Sequence, residues 1–350
     1  MCEIDRKDID LIIQDDLPWN KLNRKKILIT GANGFLGTYI VLSLLACNEK
    51  YGTKISIYAL CRNKEKAIKK FDKYINDENL ILLIQDVNHE INDSYKCDFI
   101  IHAASPANPY IIQEHPYDVV KANVIAYSKL LEKAKKWGTQ EIILFSSSAV
   151  YGYSTPVDGV NENYREKIDF TDYKDVYCLS KQMSEMMSVC FEKEYKITIK
   201  TLRPFVVYGP GDDLSSKKGL IDFLNDCIRD RNIVLKSKGE TVRSYIYISD
   251  VIRAFFYILL KGDNGVYNIA SEKNILSIKQ IAEMISNCNA KVAIEYQIEN
   301  KEYLKNKSKI MIGKSDKLRE LGWSEKVDIR EGLFKTYIWA RSCIHKEKMK

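Results

Sequence analysis

The chain has little of what membrane proteins, disulfide frameworks and zinc modules require. No run of about 18 uninterrupted apolar residues occurs, which disfavours a membrane span. The N-terminus, from Met1 to Asp16, mixes acidic with apolar side chains and lacks the basic-then-apolar order of a secretory signal, so we expect a cytoplasmic protein. The nine cysteines include no C-x-x-C pair and the four histidines lack metal-ligand spacing, so neither disulfides nor a metal site are predicted. Cys47 and Cys190 lie in apolar, helix-like surroundings and are interpreted as small core residues.

A stripe of positive charge is also missing. The net charge of +7 arises from Lys and Arg that alternate with Asp and Glu along the whole chain. A nucleic-acid surface is therefore not indicated. A mild positive balance suits an anionic small substrate, although a solvated lysine-rich surface explains it equally simply.

Short apolar runs alternate with segments of helical period from Lys25 onward. The predicted strands are Lys26–Thr30, Ile55–Leu60, Leu80–Gln85, Phe99–His102, Ile142–Ser146 and Thr198–Arg203. The predicted helices between them are Leu36–Cys47, Lys64–Tyr74, Pro116–Trp137 and Tyr177–Tyr195. Apolar strands separated by helices predict a parallel sheet buried on both faces, and the β-α-β order favours a doubly wound α/β fold.

Three segments are predicted along the chain. Residues 1–24 form an N-terminal helical extension, which packs on the main body through Leu17 and Trp19. Residues 25–203 form a dinucleotide-binding half, to which parts of 240–270 return. Residues 204–340 form a smaller α+β substrate domain, expected to close over the carboxyl ends of the parallel strands, where such sheets bind ligands.

A glycine-rich turn follows the first predicted strand. Gly31 allows a tight turn, Gly34 lets the backbone approach a pyrophosphate, and Gly37 lets the next helix pack close to the sheet. The strand before and the helix after this turn are the context that dinucleotide binding requires.

The G-x-x-G-x-x-G spacing resembles the extended short-chain dehydrogenase/reductase family, also called the NAD-dependent epimerase/dehydratase family. That resemblance implies a Rossmann sheet with a C-terminal substrate domain. It also implies a set of cofactor-binding residues: Gly31, Asn33, Gly34, Phe35, Leu36, Gly37, Arg62, Asp86, Val87, Ala103, Ala104, Ser105, Asn123, Tyr177, Lys181 and Pro204.

The end of the second strand favours NADP(H) over NAD(H). NAD-binding Rossmann folds place an acidic residue there for the ribose hydroxyl, whereas an arginine accommodates the 2′-phosphate of NADP. This chain has Arg62 and no carboxylate before Glu65. The simpler alternative is that Arg62 and Lys64 begin a solvated helix, and NAD(H) stays possible.

Tyr177 and Lys181 lie four residues apart on a predicted helix, and therefore on one face. A free tyrosine has a pKa of about 10, and a nearby cation is expected to lower it toward the range of a useful proton carrier. The triplet Ser146, Ser147 and Ser148 ends a predicted strand. The family pattern implies Ser147 as the substrate-binding hydroxyl, with Ser146 and Ser148 as alternatives.

Residues 202–211, 243–251, 265–270 and 316–323 resemble segments of extended enzymes that act on nucleotide sugars, and the resemblance covers about residues 25 to 335. It implies that Arg243 meets the nucleotide diphosphate, as a guanidinium fork would. The family's asparagine after Arg-Pro-Phe is Val206 here, so one polar contact is absent or comes from elsewhere. The implied substrate residues are Ser105, Ser147, Ser148, Tyr177, Val206 and Arg243.

The reaction type is predicted by elimination among the resembling enzymes. Dehydratases carry acidic residues where Ser148 and Ala149 stand, and decarboxylases carry a glutamate at Ala149. The chain resembles most the dTDP-4-dehydro-6-deoxyglucose reductases, which implies NADPH-dependent reduction of a 4-keto nucleotide sugar for surface polysaccharides. The alternatives are a C4 epimerase or decarboxylase with tightly bound NAD, and a non-catalytic protein that kept the fold. Analogy predicts a homodimer through Pro116–Trp137 and Tyr177–Tyr195.

Overall fold

The computed structural model describes residues 4–165, 168–216, 218–298 and 310–348. The strands are β1 (Lys26–Thr30), β2 (Ser56–Cys61), β3 (Leu80–Ile84), β4 (Phe99–His102), β5 (Glu141–Phe145), β6 (Thr198–Pro204), β7 (Val206–Tyr208), β8 (Ile233–Leu235), β9 (Val242–Tyr247), β10 (Gly265–Ile269), β11 (Ile275–Ser277), β12 (Ile294–Tyr296) and β13 (Ile310–Met311). The helices are α1 (Arg6–Ile13), α2 (Phe35–Tyr51), α3 (Lys64–Lys70), α4 (Pro109–Glu114), α5 (Pro116–Val120), α6 (Ala126–Trp137), α7 (Val176–Tyr195), α8 (Gly219–Ile228), α9 (Ile248–Lys261), α10 (Ile278–Ser286), α11 (Asp316–Glu320) and α12 (Ile329–Lys348).

A seven-stranded parallel sheet forms the larger layer, in the order β10-β6-β5-β4-β1-β2-β3. Ile27 and Ile29 pack on one face of β1 and Leu28 on the other, all with 0% exposure. Burial on both faces explains why Ile27, Leu28 and Ile29 follow one another without a polar residue between them. The predicted doubly wound α/β fold with a smaller C-terminal part is confirmed.

The smaller part contains short strands and helices. β11, β9 and β13 form one sheet, β7 pairs with β9 in parallel, and β12 pairs with β8. The chain then returns through α9 to the large sheet, where β10 pairs with β6. Since β7 directly follows β6, the two sheets meet where Pro204 leads into Val206.

Helix ends follow from local chemistry. α2 and α6 end at Gly52 and Gly138, whose φ angles of 65° and 66° favour glycine. α10 begins with a capping box in which Ser277 and Gln280 satisfy each other's backbone N–H groups. Between α5 and α6 the segment Lys121–Ile125 is π-helical, so the long predicted helix Pro116–Trp137 contains a widened turn.

The N-terminal extension packs across both layers. Asp8 in α1 is 1% exposed and accepts a hydrogen bond of 2.7 Å from the Tyr247 hydroxyl. Asp15 pairs with Arg253 at 2.7 Å and with Lys326 at 2.6 Å. Burial of these carboxylates is offset by the partners that they meet.

Some predictions need correction. The helix predicted over Lys64–Tyr74 ends at Lys70, and a 3-10 turn follows it. Cys190 is exposed on α7 rather than part of the core, whereas Cys47 is buried as predicted.

Among the described helices, none combines the length and apolar composition that crossing a membrane requires.

Candidate active site

The turns after β1 and β4 lie side by side at the carboxyl edge of the large sheet. The strand order reverses between these strands, and open α/β sheets bind ligands at such a point. Gly31 has φ of 68°, and a Cβ there would lie 2.8 Å from Ala104 Cα. A Cβ on Gly37 would lie 2.3 Å from Gly31 O, so glycine is required for α2 to begin this close to the strand. The first N–H groups of α2 have no acceptor within the helix, which suits a diphosphate.

A cleft of about 2280 Å³ runs along this edge. Ten of the predicted cofactor residues form part of its wall: Gly31, Asn33, Gly34, Phe35, Arg62, Asp86, Val87, Ala103, Ala104 and Ser105. The other predicted cofactor and substrate residues are not on this wall: Leu36, Gly37, Asn123, Ser147, Ser148, Tyr177, Lys181, Pro204, Val206 and Arg243. The cleft therefore extends from the glycine turn to Ser105. The predicted catalytic residues Ser147, Tyr177 and Lys181 lie outside its wall.

Arg62 stands at the end of the cleft next to β2 and β3. Its side chain is 80% exposed, and Nη1 lies 3.9 Å from Asp86 Oδ2. Asp86 also accepts from the backbone N of Asn88 at 2.9 Å. Exposed ion pairs of this length contribute little, so Arg62 is available to a further anion.

Asn123 contacts Ser105, and the cofactor contact that the resemblance implies for it stays a prediction. Its buried side chain accepts from Ser105 Oγ at 2.8 Å and donates to Ser180 Oγ at 2.9 Å. Its backbone O accepts from Ser184 Oγ at 2.8 Å. Asn123 therefore ties Ser105 to α7 and does not form part of the cleft wall.

Ser147 and Tyr177 come together next to Ser105. Burial raises the pKa of Tyr177, and hydrogen bonding with Ser147 and Ser105 opposes this effect without cancelling it. The expected lowering of this pKa by Lys181 is not found, because the phenol is buried and the ammonium donates instead to Phe145 O at 2.7 Å.

Two of the three serines after β5, Ser146 and Ser147, have different hydrogen-bond partners. Ser147 Oγ accepts from Ala149 N at 3.1 Å and caps the 3-10 turn Ser148–Tyr151. Ser146 Oγ donates to Glu185 Oε1 at 2.5 Å. Because Ser146 is directed to Glu185 and Ser147 contacts Tyr177, the geometry favours Ser147 among the three alternatives.

Glu185 belongs to a buried network that sequence reasoning missed. Arg203 donates to it twice, from Nε at 2.9 Å and from Nη2 at 2.5 Å, so the carboxylate is held by a two-point pair. Burial lowers the pKa of Lys181 to about 7, while the charge of Glu185 opposes that shift. Glu185 follows Lys181 by four residues on α7, and this spacing was the available signal.

The predicted substrate residues beyond the catalytic group lie around the smaller sheet. Arg243 is in β9, and burial lowers its pKa. Within the described residues no carboxylate oxygen lies within 4 Å of its guanidinium, which leaves it suited to a diphosphate. Val206 begins β7 and pairs with Tyr245, while Ser148 and Pro204 are buried.

The described residues contain no cluster of three or more His, Cys, Asp and Glu side chains arranged to hold a metal ion. A glycine turn at the reversal of a parallel sheet, close to Tyr177, Lys181 and a serine hydroxyl, is the arrangement of a dinucleotide-binding enzyme. Glycines that leave no room for a Cβ and the open start of α2 fit the dinucleotide's diphosphate.

Comparison with known proteins gives the family. The sequence model of the NAD dependent epimerase/dehydratase family matches residues 27–270, and the chain belongs to this family. NAD is therefore the cofactor of the family, whereas a preference for NADP has no support from this match.

Three similar proteins illustrate the range of the family. UDP-glucuronic acid decarboxylase 3 of Arabidopsis thaliana is 27% identical over 309 residues, which cover 88% of this chain and 86% of the relative. UDP-glucuronate 4-epimerase of Thermodesulfobacterium geofontis is 26% identical over 335 residues, covering 91% and 96%. The structure of UDP-glucose 4-epimerase from Thermotoga maritima with UDP-glucose has a TM-score of 0.79 at 25% identity and covers 91% of this chain and 99% of that one.

Proposed function

We propose that this protein is an NAD-dependent enzyme of nucleotide sugars, and specifically a C4 epimerase of a UDP-linked sugar. The observation that carries the proposal is the group formed by Ser147, Tyr177 and Lys181, which supplies one proton-transfer centre beside the cofactor cleft. The similar proteins described above act on UDP-sugars by name, which supports the substrate class.

Epimerisation requires little beyond this group. The bound dinucleotide supplies a carrier for hydride. Ser147 and Tyr177 are placed to bind the C4 oxygen of the sugar, and Tyr177 is the side chain that would exchange a proton with it once the charge of a bound cofactor favours the phenolate. A dinucleotide in the cleft would accept the hydride from C4 and give it back after the 4-keto sugar has rotated within the site, and Tyr177 would exchange the proton of the C4 oxygen in both directions. Lys181 follows Tyr177 by one helical turn and donates to Phe145 O, so that it would position the cofactor side of this group, and Arg243 would bind the nucleotide diphosphate.

Decarboxylation and dehydration fit less well. The resembling decarboxylases carry a glutamate where Ala149 stands, and the resembling dehydratases carry acidic residues at the positions of Ser148 and Ala149. In the structure Ala149 donates its N–H to Ser147 Oγ at 3.1 Å, so this position is next to the reacting group. A methyl group cannot act as an acid or base there.

A second candidate is the NADPH-dependent reduction of a 4-keto nucleotide sugar. It is favoured by Arg62, which replaces the acidic residue of NAD-binding folds and is 80% exposed at the cleft. This activity uses the same Ser147, Tyr177 and Lys181 once, in the direction of reduction. A role in surface-polysaccharide precursors and a cytoplasmic location stay predictions.

A homodimer also stays a prediction, and exposed apolar side chains support it. Met183, Met186 and Val189 on α7 are 50%, 59% and 59% exposed. Ile125 in the adjacent π-helical segment is 39% exposed. Adjacent exposed apolar groups mark contact surfaces, so Met186→Lys should convert a dimer into a monomer in light-scattering chromatography.

The test of the proposed function needs no added cofactor. Purified protein is incubated with UDP-glucose, UDP-galactose and UDP-glucuronic acid, products are identified by NMR, and released dinucleotide is quantified after denaturation. Stoichiometric NAD together with interconversion of C4 epimers supports the epimerase. Protein free of NAD that oxidises NADPH only with 4-keto nucleotide sugars would instead support the reductase.

A further inference from the structure

The cleft continues past the glycine turn, between α3, the loop of residues 211–216 and the helices α1, α8 and α12. Its volume of about 2280 Å³ is more than twice the roughly 300–1000 Å³ of ordinary small-molecule sites. Ten Lys and Arg residues but only five Asp residues lie on its wall. The interleaved charges of the sequence thus leave an excess of positive charge in this cavity, which favours anionic ligands.

Lys70 lies where this part of the cleft meets α2. Its Nζ is 3.2 Å from Thr38 Oγ1, and the Thr38 hydroxyl in turn donates to Gly34 O at 2.6 Å. Thr38 is in the first turns of α2. The ammonium group therefore stands beside the helix start at which anions are favoured.

The charge of Lys70 lacks a direct counter-ion. No carboxylate oxygen of the described residues lies within 4 Å of its Nζ. Burial lowers the pKa of Lys70 to about 8, and the charge of Lys66 one helical turn earlier acts in the same direction. The facing carboxylates have other partners, because Lys218 binds Asp212 at 3.0 Å and Ser215 donates to Asp213 at 2.7 Å.

Two further polar groups on the same cleft wall lack partners. Ser216 is 3% exposed, and its hydroxyl has no hydrogen-bond partner among the described residues. The indole N–H of Trp339 is also without one there. A partly buried cation and unpaired polar atoms in one cavity cost stability unless a polar ligand satisfies them.

We propose that Lys70, Lys66 and the Thr38 hydroxyl form a phosphate-binding subsite in the cleft. The phosphate group comes from the dinucleotide or from a separate phosphorylated metabolite. If the phosphate belongs to the dinucleotide, the inference rests on the proposed function. If it belongs to a separate metabolite, the inference is independent of that function. In either case the ligand supplies a negative charge in direct contact with Lys70, whereas Asp212 and Asp213 act on it only from beyond 4 Å.

Calorimetric titration of the full-length protein with adenosine, ADP, 2′,5′-ADP and inorganic pyrophosphate tests the subsite. Lys70→Met should weaken binding of at least one phosphate-bearing ligand about tenfold while adenosine binds unchanged. Loss for both nucleotides assigns the subsite to the diphosphate, and loss for 2′,5′-ADP alone assigns it to a 2′-phosphate. Loss for pyrophosphate alone assigns it to a separate metabolite.

The matched control is Lys64→Met, because Lys64 is on the same helix, is exposed and does not line the cleft. Lys70→Arg should restore binding. Thr38→Val, which keeps the shape without the hydroxyl, should give a smaller loss and serves if Lys70→Met fails to fold. Equal binding by the Lys70→Met and Lys64→Met proteins, or equal weakening of adenosine, would overturn the proposal. Since no sugar is present, the outcome is separate from that of the epimerase assay.

Discussion

At one end of the site the polar side chains are satisfied by each other, whereas at the other end two cations face the cleft with no carboxylate oxygen closer than 3.9 Å among the described residues. Lys181 is 2% exposed and donates to a backbone carbonyl, and Glu185 is held by Ser146 and Arg203. By contrast, Arg62 is 80% exposed and Lys70 has no carboxylate within 4 Å among the described residues. The difference indicates that the chemistry depends on internal contacts, while the identity of the ligands depends on side chains that the fold leaves open.

The largest effect is expected at the end of the site where the polar side chains satisfy each other. Tyr177→Phe should lower kcat by roughly a thousandfold, because it removes the proton carrier and leaves the cleft wall unchanged. Bound dinucleotide should stay at the wild-type level, measured after denaturation. Tyr173→Phe is the control, since Tyr173 is 53% exposed in the preceding 3-10 turn. Comparable losses for both variants would remove Tyr177 from the proposed chemistry.

Substitution of Arg243 should affect binding more than turnover. Arg243→Ala is expected to raise KM for a UDP-sugar by about a hundredfold with kcat much less changed, because charge-assisted contacts to a diphosphate are lost. Arg243→Lys keeps the charge but not the fork, and should recover only part of the affinity. A fall in kcat with an unchanged KM would instead indicate that Arg243 contributes to the chemical step and not to substrate binding.

Removal of the charge of Glu185 should shift the pH dependence of activity. The pKa of Lys181 is about 7, so its ammonium form, and with it the activity, declines as pH rises through that value. Glu185 raises this pKa, so Glu185→Gln should move the declining limb to lower pH. The variant also leaves Arg203 buried without its partner, which should reduce the free energy of unfolding by roughly 3 kcal/mol.

Two measurements separate these effects of Glu185→Gln. The pH profile of kcat reports on Lys181, whereas urea unfolding reports on the lost ion pair. Glu194→Gln, on the exposed face of the same helix, is the control. A destabilised variant with an unshifted pH profile would show that Glu185 has a structural role alone.

The smallest effect is expected at Arg62, at the end of the site that faces the cleft. Arg62→Asp should weaken NADPH binding by about tenfold and change NADH binding little, because the 2′-phosphate loses its cation and meets a carboxylate near Asp86. Fluorescence titration of the two nucleotides measures this selectivity. Equal effects on NADPH and NADH would show that Arg62 has no part in cofactor choice.

The strands and the Gly31 turn could be predicted because apolar runs and glycine spacing are local patterns. β1 and β4 begin and end at the predicted residues. The interaction of Ser146 with Glu185 joins a strand end to a helix 39 residues later, and no local pattern contains it. The raised pKa of Tyr177 cannot be predicted from the sequence for a related reason, since spacing reveals a neighbouring lysine but not burial of the phenol. The order of β7, β9, β11 and β13 depends on long-range pairing of strands of two to six residues.

The widened turn Lys121–Ile125 has a consequence for how homologous chains align with this one. A π turn holds one residue more than an α turn, and each residue of an α-helix advances about 100° around the axis. Deletion of a single residue here would restore regular winding and rotate Asn123 away from Ser105 and Ser180, both now within 2.9 Å of its side chain. A one-residue gap at this point in an alignment would therefore identify chains in which Ser105 is held differently, even where the glycine turn and the tyrosine are unchanged.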